Sequence, residues 1–217
     1  MSDKPRIVDA EAHYRQRLRA FARESVAPGG IVLLGSSHFE WFPAQRLLPH
    51  HRFVNRAIAS DRLGIGDRGI LHRLDISVFA LHPDMVVFNN GVNDLGELHR
   101  TGQPAMDAIR DAYARVVDTI RSREPNASLL IVNELPTTGR FAALNPLIGV
   151  LNAHIARVAH RAGCALLDFH RVVVVPPGRA RAGELRAELT WDGLHLNDRG
   201  YALLARHLEP LLPPAPQ

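Results

Sequence analysis

The segment VVFNNGVNDL, residues 86–95, changes character halfway along. Val86, Val87 and Phe88 read as a buried strand, and Asn89, Asn90, Gly91, Asn93 and Asp94 follow with almost no apolar cover. Two structures accommodate such a switch. One is a tight turn, in which Asn and Asp side chains bond their own backbone. The other is a functional site built at the carboxyl end of a sheet. The remainder of the chain decides between them.

Working outward, IVLL (31–34), MVVFN (85–89), SLLIVNE (128–134) and CALLDF (164–169) are short apolar strands, with a weaker one in FVNRAI (53–58). Helical spacing of apolar residues fills the intervals. It predicts helices over 9–25 (Ala12, Leu18, Phe21, Ala22), about 65–80, 104–123 (Ile109, Ala112, Val116, Val117, Ile120), 146–162 (Leu147, Val150, Leu151, Ile155, Val158) and after Asn197 (Tyr201, Leu203, Leu204, Leu208). Fully apolar strands alternating with helices specify a parallel sheet covered on both faces. The expectation is one domain over 1–217: an N-terminal helix, then a three-layer α/β/α core over about 31–210 with about five parallel strands. Flexible residues are expected at the N-terminus and in the C-terminal PPAPQ.

Composition narrows the function classes. At 217 residues, 46% hydrophobic and 22% charged, the chain is that of an ordinary globular domain with one sizeable core. The net charge of +4 comes almost wholly from arginine, Lys4 being the only lysine. No basic run of five or more residues appears, so nucleic acid is not an expected partner. The single cysteine, Cys164, excludes a disulfide framework. The charged N-terminus is not a signal peptide, and no apolar run reads as a membrane span, so the expected location is cytoplasmic. No zinc-ligand spacing occurs among the histidines, and neither a GxxxxGK[ST] nor a GxGxxG phosphate loop is present.

Polar or glycine-rich stretches follow the first four predicted strands: GSSHFEW (35–41), ASDRLG (59–64), NNGVND (89–94) and LPTTGR (135–140), with TWDGLHLNDRGY (190–201) near the end. Together they place serines, asparagines, an aspartate and a histidine on one rim. That set suits acyl transfer. A serine hydroxyl needs a base within hydrogen-bond reach. A histidine can serve, and a carboxylate can fix its tautomer. Asp192 and His195, three residues apart, can lie on one face of a local turn. Ser37 follows a strand at the start of a helix, where backbone N–H groups point outward.

The blocks LLGSSHFEW, NRAIASD, GVND and DGLHLNDRGY resemble, in order and spacing, the four blocks of the SGNH hydrolases, also called GDSL esterases or lipases. The resemblance spans about residues 31–210. It implies a flavodoxin-like sheet and a serine esterase needing no metal or organic cofactor, acting on a small-molecule ester. Ser37 would be the nucleophile, His195 the general base and Asp192 its orienter. The oxyanion hole would use the N–H groups of Ser37 and Ser60 and the side chain of Asn93. Gly91 would let backbone pass close to substrate. Apart from the resemblance, Trp191 beside the last block either packs or touches substrate, and Arg140 at the end of the fourth strand either steers an anionic substrate or forms a surface salt bridge.

Two departures leave alternatives open. GSS replaces the usual GDS, so Ser36 competes with Ser37. Ser60 occupies the usual glycine position, where its Cβ restricts a positive φ or crowds the acyl pocket. The expectation is an esterase for short acyl groups. The alternative is a weakly active or non-catalytic relative that binds acylated sugars or lipids. His38 is expected to be solvated.

Overall fold

The computed structural model describes residues 7–214. The first residues and the last three of PPAPQ, expected to be flexible, lie outside the described residues. The elements run α1 (Ala10–Arg23), β1 (Ile31–Gly35), α2 (Ser37–Glu40), α3 (Ala44–Leu47), β2 (Phe53–Asn55), α4 (Leu74–Ser77) and β3 (Met85–Asn89), then α5 (Val92–Thr101) and α6 (Met106–Arg123). They continue through β4 (Ser128–Val132), α7 (Asn145–Arg161), β5 (Ala165–Leu167), α8 (Phe169–Val173) and α9 (Asp198–Leu208). The five strands form one sheet in the order β2-β1-β3-β4-β5, and every pair is parallel. This is the flavodoxin-like order. The chain leaves β1 to one side and returns through β3 on the other, so the loops after β1 and β3 diverge and leave a crevice between them. The register sets Gly35 opposite Asn89, which brings GSS and NNG to the same level. A Cβ on Gly35 would lie 2.2 Å from the Asn89 carbonyl oxygen, so only glycine fits there.

Successive strand residues face opposite layers. Val32, Leu34, Val86, Phe88, Leu129 and Ile131 pack with Ile109, Tyr113, Val116 and Ile120 of α6 and with Ile148, Leu151, Ile155 and Val158 of α7. Ile31, Leu33, Val87, Leu130 and Val132 pack with Phe169 and Val173 of α8 and with Tyr201, Leu204 and Leu208 of α9. Each such side chain contributes about 1.5–3 kcal/mol by leaving water. Helix α1 docks separately through Tyr14 and Phe21 onto Ile58. The stretch Gly139–Arg161, 23 residues ending in α7, is long and apolar enough to cross a membrane, against the sequence expectation. Its Ile148, Leu151, Ile155 and Val158 are committed to the sheet.

SLLIVNE and CALLDF are trimmed to β4 and β5, and two further predicted elements are cut short for visible reasons. FVNRAI pairs only through Asn55, whose side chain donates to the Phe39 carbonyl (2.7 Å) and accepts from the Ala57 N–H (3.0 Å), turning the chain out of the sheet. The helix expected over about 65–80 is broken into a 3₁₀ turn at Ile70–His72, α4, and a second 3₁₀ turn at Phe79–Leu81. Gly64 and Gly69, at φ +105° and +131°, stop a continuous helix from starting.

The break leaves Arg73 free to point inward. Its guanidinium meets the Asp61 carboxylate at 2.8 Å, with both side chains fully buried. It also donates to the Arg56 carbonyl (2.6 Å), Ser77 Oγ (2.9 Å) and the Gly35 carbonyl (3.3 Å). The loop over 56–63 is therefore tied to the end of β1. Within it Ser60 takes φ +63°, a left-handed conformation costing a non-glycine residue about 1 kcal/mol or more.

The asparagines of the opening segment knit neighbouring loops. Asn89 Nδ2 donates to the Val132 (3.1 Å) and Asn133 (3.2 Å) carbonyls, and Asn93 Nδ2 donates to the Asp61 carbonyl (2.8 Å). Asp94 accepts from the Leu63 N–H at 3.2 Å. Burial raises Asp94 to about 7 against the Leu63 hydrogen bond. Glu134, fully buried after β4, is raised to about 8 by burial and by the nearby Asp94 charge, with the Val92 N–H opposing.

Replacing Arg73 by Met would leave the Asp61 charge buried and unpaired, costing about 3–5 kcal/mol in chemical denaturation. The double variant Arg73→Met/Asp61→Leu should recover much of that loss. Raised carboxyl pKa values also set a pH trend. Asp94 and Glu134 bind protons more readily folded than unfolded, so their stabilising effect is complete below about pH 4 and lost as pH rises through about 7 and 8. The denaturation midpoint should fall between pH 5 and pH 8.5, and Glu134→Gln should flatten that fall.

Candidate active site

Ser37, His195 and Asp192 meet at the carboxyl edge of the sheet. Ser37 opens α2 directly after β1, and Asp192 and His195 lie in the loop before α9. Asp192 Oδ1 accepts the backbone N–H groups of Leu194 (2.9 Å) and His195 (2.8 Å), which folds the loop around the carboxylate. Its Oδ2 lies 2.7 Å from His195 Nδ1, and His195 Nε2 lies 3.0 Å from Ser37 Oγ. A carboxylate only accepts, so Nδ1 carries the proton of the neutral imidazole and Nε2 is left to accept from the serine hydroxyl. Burial acts to raise Asp192, but hydrogen bonds from the His195 side chain and from two backbone N–H groups outweigh it and hold the carboxyl at about 2. Asp192 is therefore an anion throughout the physiological range. Ser36 is oriented differently: its hydroxyl is buried with no partner among the described residues, so of the two serines only Ser37 reaches His195.

Gly193 makes the loop possible. It takes φ +94°, and a Cβ there would lie 2.5 Å from the Thr138 carbonyl oxygen. The Gly193 carbonyl accepts the Thr138 N–H at 2.8 Å, which fastens the His195 loop to the segment after β4.

Neither the Ser37 N–H nor the Ser60 N–H meets an acceptor among the described residues. The neighbours of Ser60 are all engaged: the Ile58 N–H bonds the Gly35 carbonyl at 3.1 Å, the Ala59 N–H bonds the Glu40 carboxylate, and the Asp61 N–H bonds the Ile58 carbonyl at 3.1 Å. Glu40 is itself held by His13 and Arg17 of α1, each at 2.9 Å. Asn93 spends one amide hydrogen on the Asp61 carbonyl, leaving the second. It shares with Ser60 the lining of a cleft of about 390 Å³.

Aromatic rings surround His195. Trp191 stacks on it with ring centroids 5.6 Å apart and an interplanar angle of 19°, and Trp41 lies at 4.7 Å. Trp191 is about half exposed, open to a bound molecule. Arg140 lines the cleft. Gly91 faces elsewhere: at φ +146°, it would direct a Cβ to within 2.7 Å of Leu151 in the core, so its glycine is required by packing and by the turn into α5.

His38 is buried, contrary to the expectation that it is solvated. Its Nε2–H donates to the Leu194 carbonyl at 3.0 Å, pinning the loop that carries His195. Burial, with the nearby His195 adding, lowers His38 to about 4 against the Leu194 bond, so it stays neutral. Arg73, Glu40 and Glu134 also escaped the sequence reading. Only Glu134 carried a local signal, a carboxylate directly after a buried apolar strand. Among the described residues no group of three or more His, Cys, Asp or Glu side chains is placed to hold a metal ion.

Comparison with known proteins agrees with this fold. A search of curated protein sequences found no match. Among solved structures, a GDSL-like lipase from Bacteroides thetaiotaomicron VPI-5482 superposes with a TM-score of 0.77 at 19% identity, covering 92% of this chain and 97% of that one. A protein described as a putative platelet activating factor from Streptococcus pneumonia gives 0.76 at 22% identity, with coverage of 93% and 92%. The acetylxylan esterase Axe2 from Geobacillus stearothermophilus gives 0.64 at 16% identity, with coverage of 89% and 99%. At these identities the likeness is one of fold. The sequence itself matches the family described as GDSL-like Lipase/Acylhydrolase over residues 34–203, and the chain belongs to that family of hydrolases.

Proposed function

We propose that the protein is a serine esterase that hydrolyses carboxylic esters of short acyl groups through an acyl-enzyme. The observation that carries this reading is the unbroken chain of contacts from Ser37 through His195 to Asp192, together with the Ser37 and Ser60 N–H groups, which meet no acceptor among the described residues. Ser37 Oγ attacks the ester carbonyl as its proton passes to His195 Nε2. The imidazolium is stabilised by the Asp192 anion at Nδ1. The oxyanion is received by the N–H groups of Ser37 and Ser60 and the free amide hydrogen of Asn93. One such donor is worth about 3–4 kcal/mol of transition-state stabilisation. His195 then gives its proton to the departing alcohol. Water, deprotonated by the same nitrogen, cleaves the acyl-Ser37 ester and restores the hydroxyl.

Ser60 supports activity rather than opposing it. It takes the left-handed φ that a glycine would take, and its N–H meets no acceptor among the described residues. The acetylxylan esterase named above acts on acetylated carbohydrate; the half-exposed Trp191 beside His195 suits a sugar or aromatic alcohol on the leaving-group side.

Hydrolysis of p-nitrophenyl acetate provides the test. Ser37→Ala should lower kcat by about 10³-fold or more, and Asp192→Asn, which permits the wrong imidazole tautomer, by about 10⁴-fold. Both variants should unfold close to wild type. Equal turnover by wild type and Ser37→Ala would remove Ser37 from the mechanism.

A further inference from the structure

The cleft of about 390 Å³ next to Ser60 and Asn93 carries charge that ester hydrolysis does not require. Arg62, Arg68, Arg100 and Arg140 all line it, over apolar surface from Val92 and Leu144. Arg62 and Arg100 share one carboxylate, Glu97, at 3.0 and 2.6 Å. Arg68 pairs with Glu11 at 3.3 Å. Arg140 has no carboxylate within ion-pair distance among the described residues; its guanidinium lies 4.6 Å over the Phe141 ring. The cleft therefore keeps an excess of positive charge, with Arg140 its one lining arginine not spoken for.

We propose that this cleft takes the acyl part of the substrate, and that the acyl chain ends in an anionic group read by Arg140. The inference rests on the esterase reading, because that reading assigns the two sides of the site. His195 must hand its proton to the alcohol, which places the alcohol on the His195 and Trp191 side. Ser60 and Asn93, the donors to the carbonyl oxygen, line the cleft, so the substituent on the carbonyl carbon enters it. Val92 and Leu144 would cover methylene groups there, and the arginines share the same lining. A cleft near the small end of the ligand-site range suits a chain of a few carbons rather than a fatty acid. The substrate class is a half-ester of a short dicarboxylic acid, and hydrolysis releases the dicarboxylate and an alcohol.

The test compares mono-p-nitrophenyl glutarate with p-nitrophenyl butyrate. Wild type should favour the glutarate ester in kcat/KM by about twofold to fivefold, the effect of one exposed charge pair. Arg140→Gln should remove most of that preference, and about 0.5 M salt should reduce it. Turnover of the butyrate ester with no preference for the glutarate ester would overturn the inference and leave the esterase reading standing. A preference that Arg140→Gln leaves intact would overturn it as well. Calorimetry on Ser37→Ala reads the cleft without turnover: glutarate should bind more tightly than butyrate, and the added Arg140→Gln change should abolish the difference. If neither ester is hydrolysed the esterase reading falls, and equal binding of glutarate and butyrate would then overturn the cleft assignment on its own.

Discussion

Arg73 and Asp61 meet at 2.8 Å with no exposed surface on either side chain, and three backbone segments converge on the pair. The guanidinium bonds the carbonyls of Gly35 at the end of β1 and of Arg56 at the exit from β2. Asp61 supplies the carboxylate from the residue after Ser60. A buried ion pair of this kind contributes little net stability over an apolar substitute. Its effect is positional. It ties the loop that carries Ser60 to the end of β1, and the left-handed backbone of Ser60 is held against its own preference by the bonds on either side.

The same logic of position runs through the site. The strand order places β1 beside β3, and Gly35 lets the two ends approach closely enough for GSS and NNG to share one rim. The Asp192 carboxylate folds its own loop before it orients His195, using one oxygen for two backbone N–H groups and the other for the imidazole. His38 then ties that loop to α2, the helix that begins with Ser37. Ser37 and His195 are thus connected twice, once through the Ser37 hydroxyl and once through His38, which burial keeps neutral.

Much of this was legible in the sequence because the signals are local. Apolar strands alternating with helices specify the layered sheet, and Asp192 lies three residues from His195 within one turn. What escaped depends on long-range burial. Nothing near Arg73 distinguishes it from the many surface arginines, and the glycines at 64 and 69 that break its helix matter only once the inward-facing partner is known. His38 looks like any histidine after a serine until the loop before α9 packs on it. VVFNNGVNDL has a more divided role than a site wall. Asn89, Asn93 and Asp94 each bond a neighbouring loop, and Asn93 alone also lines the cleft.

The central claim is that Ser37 is a nucleophile activated by His195, and covalent capture tests it most directly. Native protein treated with a fluorophosphonate should gain the mass of one phosphonyl group, located by peptide mapping on Ser37. Labelling should vanish in Ser37→Ala and slow markedly in Asp192→Asn. No adduct on the folded protein, or an adduct that maps to Ser36 and survives Ser37→Ala, would contradict the account.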